Sequence, residues 1–132
     1  MTSLSPYCIH TFRHSSDLRG QDAEGGSHRL TEGRAWITGR QLWGTAQQHE
    51  EQMPLLFSDA DVDVDTGVFY WAVIDAIVLD DQTRATTCRY SSLRRITPPR
   101  KLSELRLRNG DRPVSEDLIR PYAICHTPSF LA

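Results

Sequence analysis

Asp59-x-Asp61-x-Asp63-x-Asp65-Thr66-Gly67 is the densest run of metal-ligand residue types in the chain. Alternating carboxylates suit hard cations, but an EF-hand loop needs Gly at its sixth place and a bidentate acid at its twelfth. Counted from Asp61, those places hold Thr66 and Ala72; counted from Asp59, they hold Val64 and Tyr70. The run therefore reads as an acidic, solvated loop. His10 and His14 have the i, i+4 spacing that joins two imidazoles on a helix, yet they lack the Glu of an H-E-x-x-H pair. The composition of Tyr7-Cys8-Ile9-His10-Thr11-Phe12 favours a strand instead. Cys8, Cys88 and Cys125 are odd in number, far apart and outside any C-x-x-C pattern, which argues against a disulfide framework and a structural zinc site. They are expected to be reduced thiols, one or two of them buried. Ser91, Ser92 and Ser129 stand in no G-x-S-x-G setting, and no phosphate loop or dinucleotide fingerprint occurs. No metal, cofactor or catalytic residue is assigned. Asp75, Glu104 and His126 are the only acid–base candidates a small enzyme would have.

The scaffold for such residues is bounded by 132 positions, near the commonest size of one domain, with 39% apolar and 24% charged residues, values that exclude a disordered chain. No apolar run approaches the ~18–20 residues needed to span a bilayer, and Met1-Thr2-Ser3-Leu4-Ser5-Pro6 has neither the basic nor the apolar part of a signal peptide. A cytoplasmic protein without membrane association is expected. Net charge is −2, but its distribution is uneven. Residues 45–81 hold nine acids and no Lys or Arg, whereas residues 84–120 hold ten bases against four acids. Either the second half presents a positive surface, or the halves pair through solvated salt bridges.

Residues 1–33 read as an N-terminal segment with one strand at 7–12 and a flexible loop, Gly20-Gln21-Asp22-Ala23-Glu24-Gly25-Gly26-Ser27. Residues 34–132 carry the stronger signals. Ala35-Trp36-Ile37-Thr38 predicts a short strand ended by Gly39. Thr45, with Gln48 three places on, predicts the cap of a two-turn helix ending before Pro54. Pro54-Leu55-Leu56-Phe57 predicts a buried strand. Gly67 to Leu79, rich in aromatic and β-branched residues, predicts a long strand through the middle of a sheet or around a barrel. Asp80-Asp81-Gln82 reads as a turn, with Thr83 to Tyr90 as the returning strand, and Pro98-Pro99 as a break. Ser103 to Leu107 fits a helical turn or a short strand. Asn109-Gly110 signals a turn, Ser115 a short helix, and Tyr122 to Cys125 a last strand. The class is α+β: a small, bent, mixed β-barrel with a few short helices, one domain overall.

This order of Trp-bearing strand, short helix, apolar strand, acidic loop, long aromatic strand and hairpin partner, over residues 34–96, resembles the PUA-like superfamily, which includes the PUA, ASCH, EVE and YTH domains. Such domains often carry Gly-Asp after the helix. Here Glu51-Gln52-Met53 stands there, which removes the usual tight turn, and no Lys-plus-acid pair of the catalytic ASCH members is found. The resemblance implies contact with RNA or a modified base in an aromatic-lined pocket. Aromatic faces stack on unpaired bases and arginines hold phosphates. The ligand-binding candidates are Trp36, Trp43, Trp71 and Tyr90, with Tyr70 beside them. The phosphate-binding candidates are Arg40, Arg84, Arg89, Arg94, Arg95 and Arg120, the last also readable as a partner of Asp75 or Asp81. Alternation puts Phe69, Trp71 and Val73 on one face and Tyr70, Ala72 and Ile74 on the other, both apolar enough to be core. The function expected is a nucleic-acid-binding module. The alternatives are a small enzyme of the same fold acting on a nucleoside, and a protein-interaction domain.

Overall fold

Branched and aromatic side chains at consecutive positions need apolar cover on both sides of a pleat, and the long apolar run finds it in the middle of a sheet. The computed structural model describes residues 3–59, 67–108 and 123–131. Within them the elements are β1 (Tyr7–Arg13), α1 (Ser15–Glu24), β2 (Ser27–Glu32), α2 (Ile37–Gln48), β3 (Pro54–Asp59), β4 (Val68–Leu79), β5 (Thr86–Arg100) and β6 (Ala123–His126). The acids at 61–65, the predicted turn at Asn109-Gly110, the helix at Ser115 and the Arg120-Pro121-Tyr122 segment lie outside the described residues.

The six strands form one mixed sheet in the order β2-β5-β4-β3-β1-β6. β1 runs parallel to β3, and every other ladder is antiparallel. The fold is thus α+β. No ladder joins β2 to β1 or β6 among the described residues. The sheet is nevertheless strongly curled. Arg13 at the end of β1 donates to Glu32 at the end of β2 over 2.7 Å, although three strands separate those two in the sheet. Three register shifts along the β4–β5 ladder supply the bend, as bulges do.

Each face of the sheet carries its own core. On the helix-covered face, Leu18 of α1 and Ala46 of α2 join Phe57, Tyr70, Ile74 and Tyr90. The opposite face packs Leu56, Trp71, Val73 and Cys125 under Leu105 and Leu131. Burial of each leucine, isoleucine, valine or phenylalanine among them stabilises by about 1.5–3 kcal/mol. Alternation along β4 follows expectation for Tyr70, Ala72 and Ile74 against Trp71 and Val73. Phe69 does not: a shift between Val68 and Tyr70 turns it towards the helix-covered side.

Several expectations need correction. The predicted strand at 35–38 and cap at Thr45 merge into the single helix α2, with Trp36 at its N-cap position. Trp36, Gly39, Trp43 and Ala46 recur at helical spacing, and that stripe, packed on β4, overrides the strand preference of Ile37 and Thr38. Thr45 lies inside the helix and donates its hydroxyl to the Gln41 carbonyl at 3.1 Å. The helix ends in a Schellman turn, Glu51 N donating to Ala46 O (2.8 Å) and Glu50 N to Gln47 O (3.1 Å). Glu50 holds the left-handed position at φ 56°, so the tight turn read as missing is present, with Glu where Gly is usual. The supposed flexible loop at 20–27 is the end of α1 and the start of β2. β5 continues through Pro98-Pro99, because beyond Ser91 it no longer pairs with β2 and a missing N–H costs nothing on that free side. Residues 102–104 form one 3-10 turn, after which Leu107 bridges to Cys125.

Two close contacts fix the long hairpin. Asp80 Oδ1 accepts from the Gln82 and Thr83 amides at 2.8 and 2.9 Å, and these bonds draw its carboxyl below the usual range. At the other end, Gly67 lies so near Arg100 that a Cβ would stand 1.6 Å from the Arg100 carbonyl oxygen. No helix among the described residues is long and apolar enough to cross a membrane.

Candidate nucleic-acid interface

The residues that sequence singled out are distributed over both faces. Trp36 is 0% and Tyr90 2% exposed, and both belong to the core of the helix-covered face; neither offers a ring to a ligand. Tyr90 spends its hydroxyl on Gln21 of α1, and burial pushes its pKa up. Trp43 is half-buried on α2 and packs against the same core, its Nε1 without a hydrogen-bond partner among the described residues. Trp71 is 8% exposed on the opposite face, with the Arg94 guanidinium 4.3 Å from its ring centroid. Arg40 is exposed on α2, and Arg84, at φ 62°, sits at the tip of the β4–β5 hairpin. Arg120 lies outside the described residues.

Arg94 and Arg95 are neighbours on a strand and therefore emerge on opposite faces. Arg95 pairs across the ladder with Tyr70, donates Nε to the Tyr70 hydroxyl at 3.0 Å and lies 3.6 Å from Asp22 of α1. Its guanidinium carbon is 5.7 Å from the Tyr70 ring centroid. Among the described residues these polar contacts run through Nε, which leaves the two terminal nitrogens to a ligand. Around this pair opens a cavity of about 420 Å³, lined by Arg19, Phe69, Tyr70, Arg95, Thr97 and Pro99 among others. It combines two guanidinium groups with the half-buried ring of Phe69, which meets Tyr70 edge-on at 4.8 Å. No carboxylate, imidazole or thiol is among the described residues that line it. Its chemistry is that of holding an anion beside a flat apolar group. Sequence reasoning named Tyr70 and Arg95 but not their pairing, and it gave no signal for Arg19.

A basic stripe follows the opposite face. Arg89 lies directly across the ladder from Arg29, a like-charge juxtaposition that is unfavourable without an anion. Further along β5 come Arg94 and Arg100, the latter over the Phe130 ring at 5.0 Å. Lys101, Arg106 and Arg108 are also exposed, and Arg108 stands 5.0 Å from the Tyr7 ring centroid. Arg100 pairs with Glu104 at 3.3 Å. The ion pairs among the described residues are local or run to the N-terminal third; none joins the acids of 45–81 to the bases of 84–120.

Two other groupings contain reactive residue types. His10 Nε2 and Ser58 Oγ are 2.8 Å apart, both side chains fully buried, and His10 Nδ1 has no partner among the described residues. Burial lowers the His10 pKa to about 3, so it is a poor base at neutral pH, and no third group orients it. His14 is exposed at the N-cap position of α1, and no trio of metal-ligating residues occurs among the described residues. All three cysteines are free and buried, one more than expected at the least. Cys8 and Cys125 face each other across β1–β6. The bonds from Arg108 N to Ile124 O and from His126 N to Arg106 O turn the peptide groups of Cys125 towards β1, which makes this a wide, hydrogen-bonded pair.

No protein-family profile matches the chain, and comparison with curated proteins and with solved structures gives no significant match.

Proposed function

We propose that the protein is a nucleic-acid-binding module that takes an unpaired or modified base of RNA, or a similar modified base, into the cavity between α1 and the β4–β5 bend. The cavity of Arg19, Phe69, Tyr70 and Arg95 carries this reading. Tyr70 is 1% exposed and serves as the anchor of Arg95, not as a stacking surface. The base lies against the Phe69 ring and the guanidinium plane of Arg95, contacts worth about 1–3 kcal/mol per stacked base. Arg19 and the terminal nitrogens of Arg95 receive the adjoining phosphate. The stripe from Arg89 through Arg94 to Arg100 supports longer-range attraction of the backbone. A cavity with no acid or imidazole among its described lining residues favours binding over catalysis.

The test is fluorescence anisotropy of labelled single-stranded RNA and DNA, with and without modified bases, at low and moderate salt. Binding that weakens as salt rises is expected. Phe69→Ala and Arg95→Gln should each weaken it, with the circular dichroism spectrum unchanged. Binding insensitive to both substitutions, or no binding of any oligonucleotide at low salt, would refute the proposal.

A further inference from the structure

On the other side of the molecule a second cavity, of about 310 Å³, lies between the entry to β1 and the last turns of α2. It is at the small end of the ~300–1,000 Å³ range of ligand pockets. Its walls are apolar, made of Pro6, Tyr7, Leu42 and Ala46. Two of its hydroxyls act as acceptors. Ser5 donates its hydroxyl proton to the Tyr7 carbonyl at 2.6 Å, and Thr45 donates to the Gln41 carbonyl at 3.1 Å. A hydroxyl whose proton is so engaged can only accept from a ligand. Glu51 adds a half-buried carboxylate, with no ion pair among the described residues. Its backbone is held in the Schellman turn by the bond from its amide to Ala46 O, so the carboxylate grows from a fixed point. His49 stands exposed at the rim.

An apolar pocket furnished with acceptors and one carboxylate is complementary to a donor-rich, positively charged head on an apolar body. We infer that this cavity binds a small organic cation, a primary amine carrying an aromatic or branched aliphatic group. The amine is held by Glu51 and Ser5 Oγ, and the body lies against Leu42, Ala46 and the Tyr7 ring. The site is independent of the nucleic-acid proposal, since it shares no residue with the first cavity.

The experiment is an NMR titration of the full chain with three probes of equal body: phenethylamine, its alcohol analogue 2-phenylethanol, and 3-phenylpropionate. Phenethylamine should shift the resonances of Tyr7, Leu42 and Ala46, and 2-phenylethanol should bind about tenfold more weakly. In Glu51→Gln the two should become equal. Thr45→Leu, at an exposed helix position, narrows the cavity without touching the core and should weaken all binding; Ala46→Phe should abolish it. Equal affinity for amine and alcohol in the wild-type chain would overturn the inference. So would a preference for the carboxylate, shifts confined to other residues, or no shift with any probe while the protein is folded.

Discussion

Arg94 and Arg95 differ by one position and share a chemistry, a guanidinium beside an aromatic ring, yet they do opposite things. Arg94 lies 4.3 Å from the centroid of Trp71, donates Nε to the Ser92 carbonyl at 3.1 Å, and closes the ring off as part of a core. Arg95 bonds the edge of Tyr70 through the hydroxyl and leaves a cavity open beside Phe69. The difference comes from the bend. The register shifts of β4 turn Phe69 to the same side as Tyr70, so that face has two adjacent rings of one strand beside the guanidinium. An arginine over an aromatic ring is therefore a lid or a site according to what the neighbouring backbone does, not according to the pair itself.

The comparison depends first on the clamp that holds the bend. Gly67→Ala would drive a methyl carbon into the Arg100 carbonyl. It should cost roughly 3 kcal/mol or more and lower Tm by about 10 °C. Thermal unfolding checks this, and a Tm within about 2 °C of the wild type would show that the β4–β5 bend does not need the contact.

A comparably large effect should appear in acid. Burial keeps the His10 imidazole neutral down to about pH 3. The unfolded chain takes up that proton near its ordinary pKa of about 6.5. The contribution of a neutral His10 is thus complete above pH 6.5 and is lost as pH falls towards 3, at up to about 1.4 kcal/mol per pH unit. Urea unfolding at pH 7, 5.5 and 4.5 should show this decline, and His10→Asn should flatten it. Because His10 shares its face with Trp71, near-ultraviolet signals of that tryptophan should change before those of Tyr90 if the faces loosen separately.

The arginines themselves give the next contrast. Arg95→Ala should weaken oligonucleotide binding about tenfold with little loss of stability, since its ion pair with Asp22 is exposed. Arg94→Ala should do the reverse, lowering stability by about 0.5–1 kcal/mol and raising the accessibility of Trp71 to acrylamide. Equal effects of the two substitutions on binding would erase the distinction between lid and site. The smallest expected change is a gain. Glu50→Gly relieves a left-handed residue at the end of α2 and should add about 0.5–1 kcal/mol without altering binding.

Much of the sheet was legible from residue types. β4 announces itself through Val68 to Ile74, and Pro54 to Phe57 is an evident buried strand. α1 was hidden because Leu18 is its only large apolar residue, too little to set a period. α2 was misread because Ile37, Thr38 and Gly39 mimic the end of a strand, and only packing reveals that Gly39 is buried inside a helix. Closure of the sheet was beyond the sequence, since curl depends on where bulges fall. For the same reason the cavity at Arg95 was invisible: Phe69 was placed with Trp71 by strict alternation, and one shifted pair reversed it. The charge split was legible, but where its charges stand on the folded surface was a question only three-dimensional positions could answer.

The three buried cysteines give the molecule an internal clock. Burial pushes the Cys88 thiol up to about 12, and raises Cys8 well above its ordinary value. At neutral pH almost no thiolate is present to react. A thiol reagent must therefore wait for the sheet to part. Cys88 answers for the β2–β5 edge, and Cys8 and Cys125 answer for the β1–β6 edge. Mass-resolved labelling would thus tell, one edge at a time, which side of the curled sheet comes apart first.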